Sequence, residues 1–212
     1  MWSRVAGVYD WQLAFERRPI RAMLSMVAVG ERDRLLDVAT GTGAVLRELG
    51  DTAPQPGRVV GVDASAEMLA RARRAVGPDV ELVRADAVAL PFADASFDVA
   101  ACAYLLHLLD GSARAEVLRE LARVLTPAGR LGMVTVAPPH GALSAALSWP
   151  VRAAARRSTG VLAGLRGLDP RDDLRAAGFE VDGARRVVLG YPSLCVAARR
   201  PSSAPTGFTR MR

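Results

Sequence analysis

The chain has 212 residues, half of them apolar, a formal net charge of +6 and a sequence pI near 10.5. That is enough apolar material for one domain with a sizeable core, and it excludes a chain too polar to fold. All of the positive charge is arginine, since the chain contains no lysine, and acidic residues accompany the arginines through most of the length. A dedicated polyanion binder is therefore not the expected class.

Cys102 and Cys195 lie far apart, with no second cysteine or histidine at ligand spacing, so no metal site is expected and both thiols read as buried and free. Such cysteine usage fits a reducing, cytoplasmic setting. The first residues, MWSRVAGVYDWQLAFERR, contain no uninterrupted apolar stretch and so no signal peptide. Residues 131–151 carry no charge, but Pro138, Pro139, Gly141 and Pro150 break them into shorter pieces, which rules out a span.

Short runs rich in Val, Leu and Ala recur at 35–39, 58–63, 80–85, 97–103 and 129–136, without strict alternation, as strands covered on both faces do. Helical segments at 43–50, 66–76 and 112–125 separate them, the second with Ser65 placed to cap it. Alternation of this kind predicts an α/β fold, a Rossmann-like doubly wound sheet of seven strands, mostly parallel. Ligands of such sheets bind at the carboxyl ends of the strands. The alternation pauses at 137–168, a helical insertion or lid, and resumes with a short helix at 169–178, capped by Asp169 and stopped by Gly178. Strands at 179–188 and 193–198, joined by Gly190-Tyr191-Pro192, predict an antiparallel last pair. Residues 1–198 thus read as a single domain, and 199–212, RRPSSAPTGFTRMR, as a disordered basic tail.

The stretch LLDVATGTGAVLREL, residues 35–49, leads from a strand through two glycines into a helix, a junction where a ligand can approach the main chain. A dinucleotide site wants G-x-G-x-x-G, and Leu46 stands where the third glycine would be. Asp37-Val38-Ala39-Thr40-Gly41-Thr42-Gly43 instead resembles the first motif, D-x-G-x-G-x-G, of class I S-adenosylmethionine-dependent methyltransferases, with Ala39 departing from the first glycine. Val60-Gly61-Val62-Asp63-Ala64-Ser65 with Glu67-Met68-Leu69 is similar to the second motif of that family. Ala85-Asp86-Ala87 with Leu90-Pro91-Phe92, and Ser96-Phe97-Asp98-Val99, are similar to the third and fourth. Residues 121–131, LARVLTPAGRL, match the segment before strand five. The resemblance covers about 35–136 in order. Its closest flavour is the methyltransferase type 11 group with the ubiquinone and menaquinone C-methyltransferases, whose first motif can also read L-D-V-A-T-G-T-G.

What the resemblance implies follows chemical sense. A carboxylate can accept both ribose hydroxyls, which points to Asp63; Asp86, beside Met68, would take the adenine amino group. Main chain at Ala39, Thr40, Gly41 and Gly43, with Asp37 ordering that end, would meet the methionyl group, and Ala64, Ala87 and Cys102 complete the expected cofactor wall. Tyr9, in Val8-Tyr9-Asp10, resembles the N-terminal lid. Methyl transfer from a sulfonium is an in-line displacement in which proximity and orientation carry most of the rate. His107 and His140 are the candidate catalytic bases; for His107 the competing reading is a histidine packed at a helix start. The expected acceptor is a small molecule, quinone-like or lipid-like, rather than nucleic acid, because no N-P-P-Y signature follows strand four. Residues 144–166 combine Trp149 with Arg152, Arg156, Arg157 and Arg166 and would suit an anionic bilayer, a substrate lid or a dimer face, in a monomer or homodimer. A cofactor-binding module without catalysis and a nicotinamide oxidoreductase are the other readings.

Overall fold

The computed structural model of the chain describes residues 6–51, 55–139, 167–188 and 192–202. In chain order they form α1 (Ala6–Val27), β1 (Arg34–Val38), α2 (Ala44–Gly50), β2 (Arg58–Asp63), α3 (Ala66–Ala75), β3 (Glu81–Arg84) and β4 (Phe97–Ala103). A 3-10 turn (Leu106–Leu108), α4 (Gly111–Val124), β5 (Leu125–Val136), α5 (Arg171–Ala176), β6 (Glu180–Val187) and β7 (Ser193–Arg199) follow. The strands make one sheet in the order β3-β2-β1-β4-β5-β7-β6. Only β7 runs antiparallel to its neighbours, and it lies between β5 and β6. The expected doubly wound sheet with an antiparallel last strand is present. Its order reverses between β1 and β4, where ligands of open α/β sheets bind.

β1 shows why its strand lacks alternation. Leu35, Leu36, Asp37 and Val38 are all fully buried, because Leu36 and Val38 pack toward the cluster around α4 while Leu35 packs toward α1 and α2. With helices on both faces, each position must be apolar or internally satisfied.

Helix α1 is the element that the sequence reading passed over. Ile20, Met23, Leu24 and Val27 are buried at helical spacing and pack over β5 and β7. Pro19 and the arginines around it interrupt the pattern and hide its period. Gly132 on β5 makes the seat: a Cβ there would lie 2.3 Å from Met23 Sδ. Arg17 and Arg21 both reach the buried Glu48 of α2, which fixes α1 against the helix that follows the glycine turn.

Three further details differ from the expectation. β5 begins at Leu125, directly from α4, because Leu125 pairs with Phe97 and a bulge follows. The pairing at the other side continues past Arg199, where the tail was expected to start: Arg200 N–H donates to Gly129 O at 2.8 Å and Ala128 N–H to Arg200 O at 3.0 Å. α5 starts at Arg171, with Asp169 Oδ1 accepting from its N–H at 3.2 Å. It ends as expected on Gly178, at φ +86°, where Phe179 N–H bonds back to Leu174 O and both side chains are buried.

The insertion leaves and returns at one place. Leu168 N–H donates to Val136 O at 2.9 Å, and Thr135 Oγ1 donates to Leu168 O at 2.8 Å, so both ends meet at the carboxyl end of β5. The basic segment 144–166, the Gly190-Tyr191 link and the tail beyond 202 lie outside the described residues. Among the described residues no helix is long and apolar enough to cross a membrane.

Candidate functional site

The strand register sets the level of the site. Val62, Val38 and Cys102 are paired across the sheet, so Asp63, Ala39 and Ala103 follow at the next level, at the carboxyl ends of β2, β1 and β4. From Ala39 the chain turns through Thr40, Gly41 and Thr42 into α2, with Gly43 as its N-cap. Ala39, Gly41 and Gly43 all have left-handed backbone, at φ +60°, +56° and +83°. This alternation makes the turn sharp enough to expose its amides, and it is why glycine suits those three positions. Thr40 N–H donates to Val62 O at 2.9 Å and Gly43 N–H to Thr40 O at 2.8 Å, tying the turn to β2 and to itself. Among the described residues a Cβ at Gly41 would meet only Ala39 O, at 3.9 Å, so on their account its outer face is open to a ligand.

Leu46, the residue that breaks the dinucleotide pattern, is buried with 4% exposure. The room that a third glycine would give on the helix comes from Gly61 on β2: a Cβ there would fall 2.7 Å from Thr40 Oγ1, 2.8 Å from Leu82 Cδ2 and 2.9 Å from Leu46 Cδ1. The close helix and strand contact is kept, with the glycine on the other partner.

Two carboxylates flank the turn. Asp63 is half-buried; its Oδ2 accepts from Gly41 N–H at 2.8 Å and its Oδ1 from Ser65 N–H at 2.8 Å. Each oxygen keeps a further lone pair, so a diol at the end of β2 can be accepted without breaking either bond. The capping of α3 falls to Ser65, whose Oγ accepts from Met68 N–H at 3.3 Å. Asp37 is fully buried; Thr40 Oγ1 donates to its Oδ2, and Oδ1 has no partner among the described residues. Burial pushes its carboxyl up to about 7, the Thr40 hydroxyl opposes this, and the charge of Asp63 adds to it. A buried acid with one free oxygen fits a ligand that brings a donor or a positive charge.

On the other side of β2, Asp86 is exposed in the turn after β3, with Oδ1 accepting from Val88 N–H at 3.2 Å. Met68 and Ala87 are half-buried nearby in the fold, Ala87 against the core, while Ala64 is exposed and its carbonyl accepts from Arg84. Cys102 is buried in the core with 1% exposure, and burial, helped by the charge of Asp37, pushes its thiol far up. Its side chain is a packing group, and only its main chain remains to meet a ligand.

The acceptor side starts at the end of β4. Tyr104 has a left-handed backbone, at φ +59°, and donates its N–H to Val134 O at 2.7 Å. Its hydroxyl meets Ser193 Oγ, at the start of β7, at 2.8 Å. His107 lies in the 3-10 turn with 6% exposure, its ring edge-on to Tyr104 at a centroid distance of 6.2 Å. Burial lowers its pKa to about 4, and Nδ1 has no partner among the described residues. The imidazole is thus neutral at physiological pH and a weak base; it is suited to hydrogen bonding. His140 and the Tyr9 side chain lie outside the described residues, although Tyr9 belongs to α1.

The structure therefore gathers Asp37 at the end of β1, the turn residues Ala39, Thr40, Gly41 and Gly43, and Asp63 at the end of β2, with Asp86 in the turn after β3, Met68 on α3 and His107 beyond β4. Sequence reading missed the Gly61 seat and the Tyr104–Ser193 bond, whose partners are 89 residues apart. It also missed the Arg17, Arg21 and Glu48 clamp. An acid in an otherwise apolar face of α2 was the signal for the last.

Against known proteins, the family described as a methyltransferase domain matches residues 35–129. A demethylmenaquinone methyltransferase of Deinococcus radiodurans is 36% identical over 156 residues, which cover 69% of this chain and 63% of that protein, less than two thirds of its length. Among solved structures, an S-adenosylmethionine-dependent methyltransferase of Methanosarcina mazei is similar at a TM-score of 0.63, with 21% identity over 82% of this chain and 95% of the other. The cyclase SpnF is similar at 0.66, with 23% identity over 88% and 82%. At these identities the two structures share the fold, and the cyclase shows that the fold alone does not fix the reaction. Leu46 had turned the turn away from a nicotinamide ligand, and the family match across that same turn supplies the positive answer: the chain belongs to the class I S-adenosylmethionine-dependent methyltransferases.

Proposed function

We propose that this chain transfers the methyl group of S-adenosylmethionine to a small apolar acceptor of the quinone type. The observation that carries this reading is the turn itself: left-handed backbone at Ala39, Gly41 and Gly43, an open face at Gly41, a buried acid with a free oxygen at Asp37 and a carboxylate held by two amides at Asp63. These groups suit the family's cofactor. Asp63 would hold the ribose diol, Asp86 the adenine amino group, and Asp37 with the amides of the turn the methionyl end. The bound cofactor supplies an activated methyl on a positively charged sulfur. The chain's own residues then have to orient that methyl toward the acceptor and keep water away, which an in-line displacement needs more than it needs a strong base. The quinone class is supported by the name of the relative from Deinococcus radiodurans and by the first-motif spelling.

The experiment is calorimetric titration with S-adenosylmethionine, its demethylated product S-adenosylhomocysteine and NAD, on the wild type and Asp63→Ala. Micromolar binding of the two sulfur nucleosides, silence with NAD and at least tenfold weaker binding by the variant are expected, since Asp63 contributes charge-assisted hydrogen bonds to the diol. Absence of binding to both sulfur nucleosides would refute the reading. Binding without any methylated product across a panel of reduced quinones would favour a non-transferring role such as that of a cofactor-holding module.

A further inference from the structure

Helix α1 is longer than its seat, and its contacts fix its course along the sheet. Arg130 Nη1 donates to Val27 O at 3.0 Å, and Met23 Sδ lies over Gly132. Pro19 O accepts from Cys195 Sγ at 3.2 Å, and Cys195 is paired with Val134. Four residues of α1 thus advance with two of β5, as rises of about 1.5 Å per helical and 3.3 Å per strand residue require. With Pro19 level with Val134, residue 15 is level with Val136, the last residue of β5, and the helix continues to Ala6. Its first turns therefore stand up to roughly 13 Å past the carboxyl edge. They do so on the face of the sheet that α1 shares with α2, the helix that grows out of the glycine turn.

Pro19 divides this helix. It has no N–H for the carbonyl of residue 15 and its ring crowds that carbonyl, so the ladder of backbone bonds is open where the seated half gives way to the projecting one. Ile20, Met23, Leu24 and Val27 hold the seated half over β5 and β7. A buried carboxylate spans the gap: Arg17 Nε donates to Glu48 Oε1 and Arg21 Nε to Glu48 Oε2, one arginine on each side of the proline. Asp51, at the end of α2, also accepts from Arg17, at 3.1 Å. Glu48 is a fixed point relative to the turn, because its neighbours Val45, Leu46 and Leu49 are buried and Leu46 fits the Gly61 seat.

We propose that Glu48 is a positioning residue for S-adenosylmethionine: through Arg17 it replaces the backbone bond missing at Pro19 and holds the projecting half of α1 over the glycine turn, where that half encloses the bound cofactor. The inference rests on the methyltransferase reading and adds to it a side chain that acts through another element. The two arginines are alike in exposure, at 53% and 51%, and each donates to the same carboxylate. Their roles differ. Arg21 belongs to the half that its own apolar residues already hold, whereas Arg17 belongs to the half that otherwise pivots at the proline.

The test follows release of S-adenosylhomocysteine from the full chain by stopped-flow displacement, well below the melting temperature of each variant. Arg17→Gln should release it about tenfold faster than the wild type, with the association rate within about twofold, since loosening a covering element acts mainly on escape. Arg21→Gln should stay within about twofold of the wild type in both rates. Glu48→Gln, which keeps the shape and loses the charge, should behave like Arg17→Gln. Pro19→Ala restores the backbone donor, so the double variant Glu48→Gln/Pro19→Ala should recover most of the slow release even though the carboxylate is gone. In hydrogen exchange, S-adenosylhomocysteine should slow the amides of residues 6–15 in the wild type and the double variant, and not in Glu48→Gln. Equal effects of Arg17→Gln and Arg21→Gln, the mark of a clamp that only fastens α1 to α2, would overturn the assignment. So would a double variant that releases the ligand as fast as Glu48→Gln. Both arginine variants change exposed side chains and keep the buried carboxylate, so their comparison decides even if Glu48→Gln does not fold. These outcomes leave the wild type bound to its cofactor and remove only the role of Glu48; a wild type that binds neither sulfur nucleoside removes the methyltransferase reading beneath it.

Discussion

The two ends of the sheet are built differently. At the amino ends, charged pairs cross from strand to strand: Arg58 to Glu81 between β2 and β3, Arg34 to Asp98 between β1 and β4, and Arg199 to Glu180 and Asp182 between β7 and β6. Arg130 on β5 holds Asp33 ahead of β1, and Arg58 lies over the Phe97 ring at 5.6 Å. At the carboxyl ends stand the two buried atoms that have no partner among the described residues, Asp37 Oδ1 and His107 Nδ1. Backbone strain does not make the difference, because left-handed alanines occur at both ends: Ala28, Ala95 and Ala128 at one, Ala39 at the other. What differs is whether polar groups are satisfied within the chain. Among the described residues one edge is complete by itself, and the other keeps two polar atoms that a ligand would have to complete.

The largest predicted effect contrasts two aspartates in opposite pH windows. Asp37 is fully buried and its carboxyl is raised to about 7, so the folded state holds a proton that the unfolded chain releases near 4. Stability from this group falls as pH rises from about 4 through 7 and is level above, a change on the order of 4 kcal/mol. His107, lowered to about 4 by burial, pulls the other way below its ordinary range. The clean readout is therefore the difference between Asp37→Asn and the wild type in urea melts: it should grow in favour of the variant from pH 4 to pH 7 and then stay constant. A difference that is flat across that range would mean that Asp37 is not desolvated as described. Saturating S-adenosylmethionine should shrink the difference, because a donor on the free oxygen favours the charged form.

Glu48 is the paired counterpart, a buried carboxylate at 4% exposure that receives both Arg17 and Arg21. Glu48→Ala removes two charge-assisted bonds and opens space between α1 and α2. A loss of about 2–3 kcal/mol is expected at pH 7, read by denaturant midpoint. At the amino edge, Arg34 donates to both oxygens of Asp98 and its guanidinium holds that carboxyl down at about 2. The stability it brings is present above about 4 and is lost as pH falls through 2. Since both side chains remain partly in water, Asp98→Ala should cost only about 1–2 kcal/mol at neutral pH and leave cofactor affinity unchanged. An affinity loss of tenfold or more in this variant would break the division between the edges.

Much of this was legible from the chain alone because it is local. Residues 35–38 read as a buried strand since every position in them is apolar or is the one acid of the motif, and Asp63 at a strand end could be placed from the second motif. What escaped depends on contacts between distant segments. Pro19 and three nearby arginines masked the helical spacing of Ile20, Met23, Leu24 and Val27, which only the seat at Gly132 explains. Gly61 read as a motif residue, yet its work is to admit Thr40 and Leu46 from across the turn. A histidine in Leu105-Leu106-His107-Leu108-Leu109 gave no sign whether its nitrogens were satisfied. That is a property of the folded environment.

The smallest effect concerns Ala39, the one departure from glycine in the first motif, and it tests whether the carboxyl edge carries strain that function does not need. At φ +60° an alanine costs roughly 1–2 kcal/mol relative to right-handed backbone. Glycine would remove that cost, but it also frees the unfolded chain by about 0.5–1 kcal/mol. Ala39→Gly should therefore gain at most about 1 kcal/mol, a few degrees in Tm for a chain of this size. Its methyl group is half-buried, and the amides that line the turn belong to residues on either side. Affinity for S-adenosylmethionine should thus stay within about threefold, measured by the same calorimetry. Ala39→Val, with a branched side chain at the same φ, should lose both stability and affinity. If Ala39→Gly instead bound the cofactor much more weakly, the alanine would be shaping the turn for its ligand, and the strain at this edge, like its unpaired oxygen and nitrogen, would belong to binding.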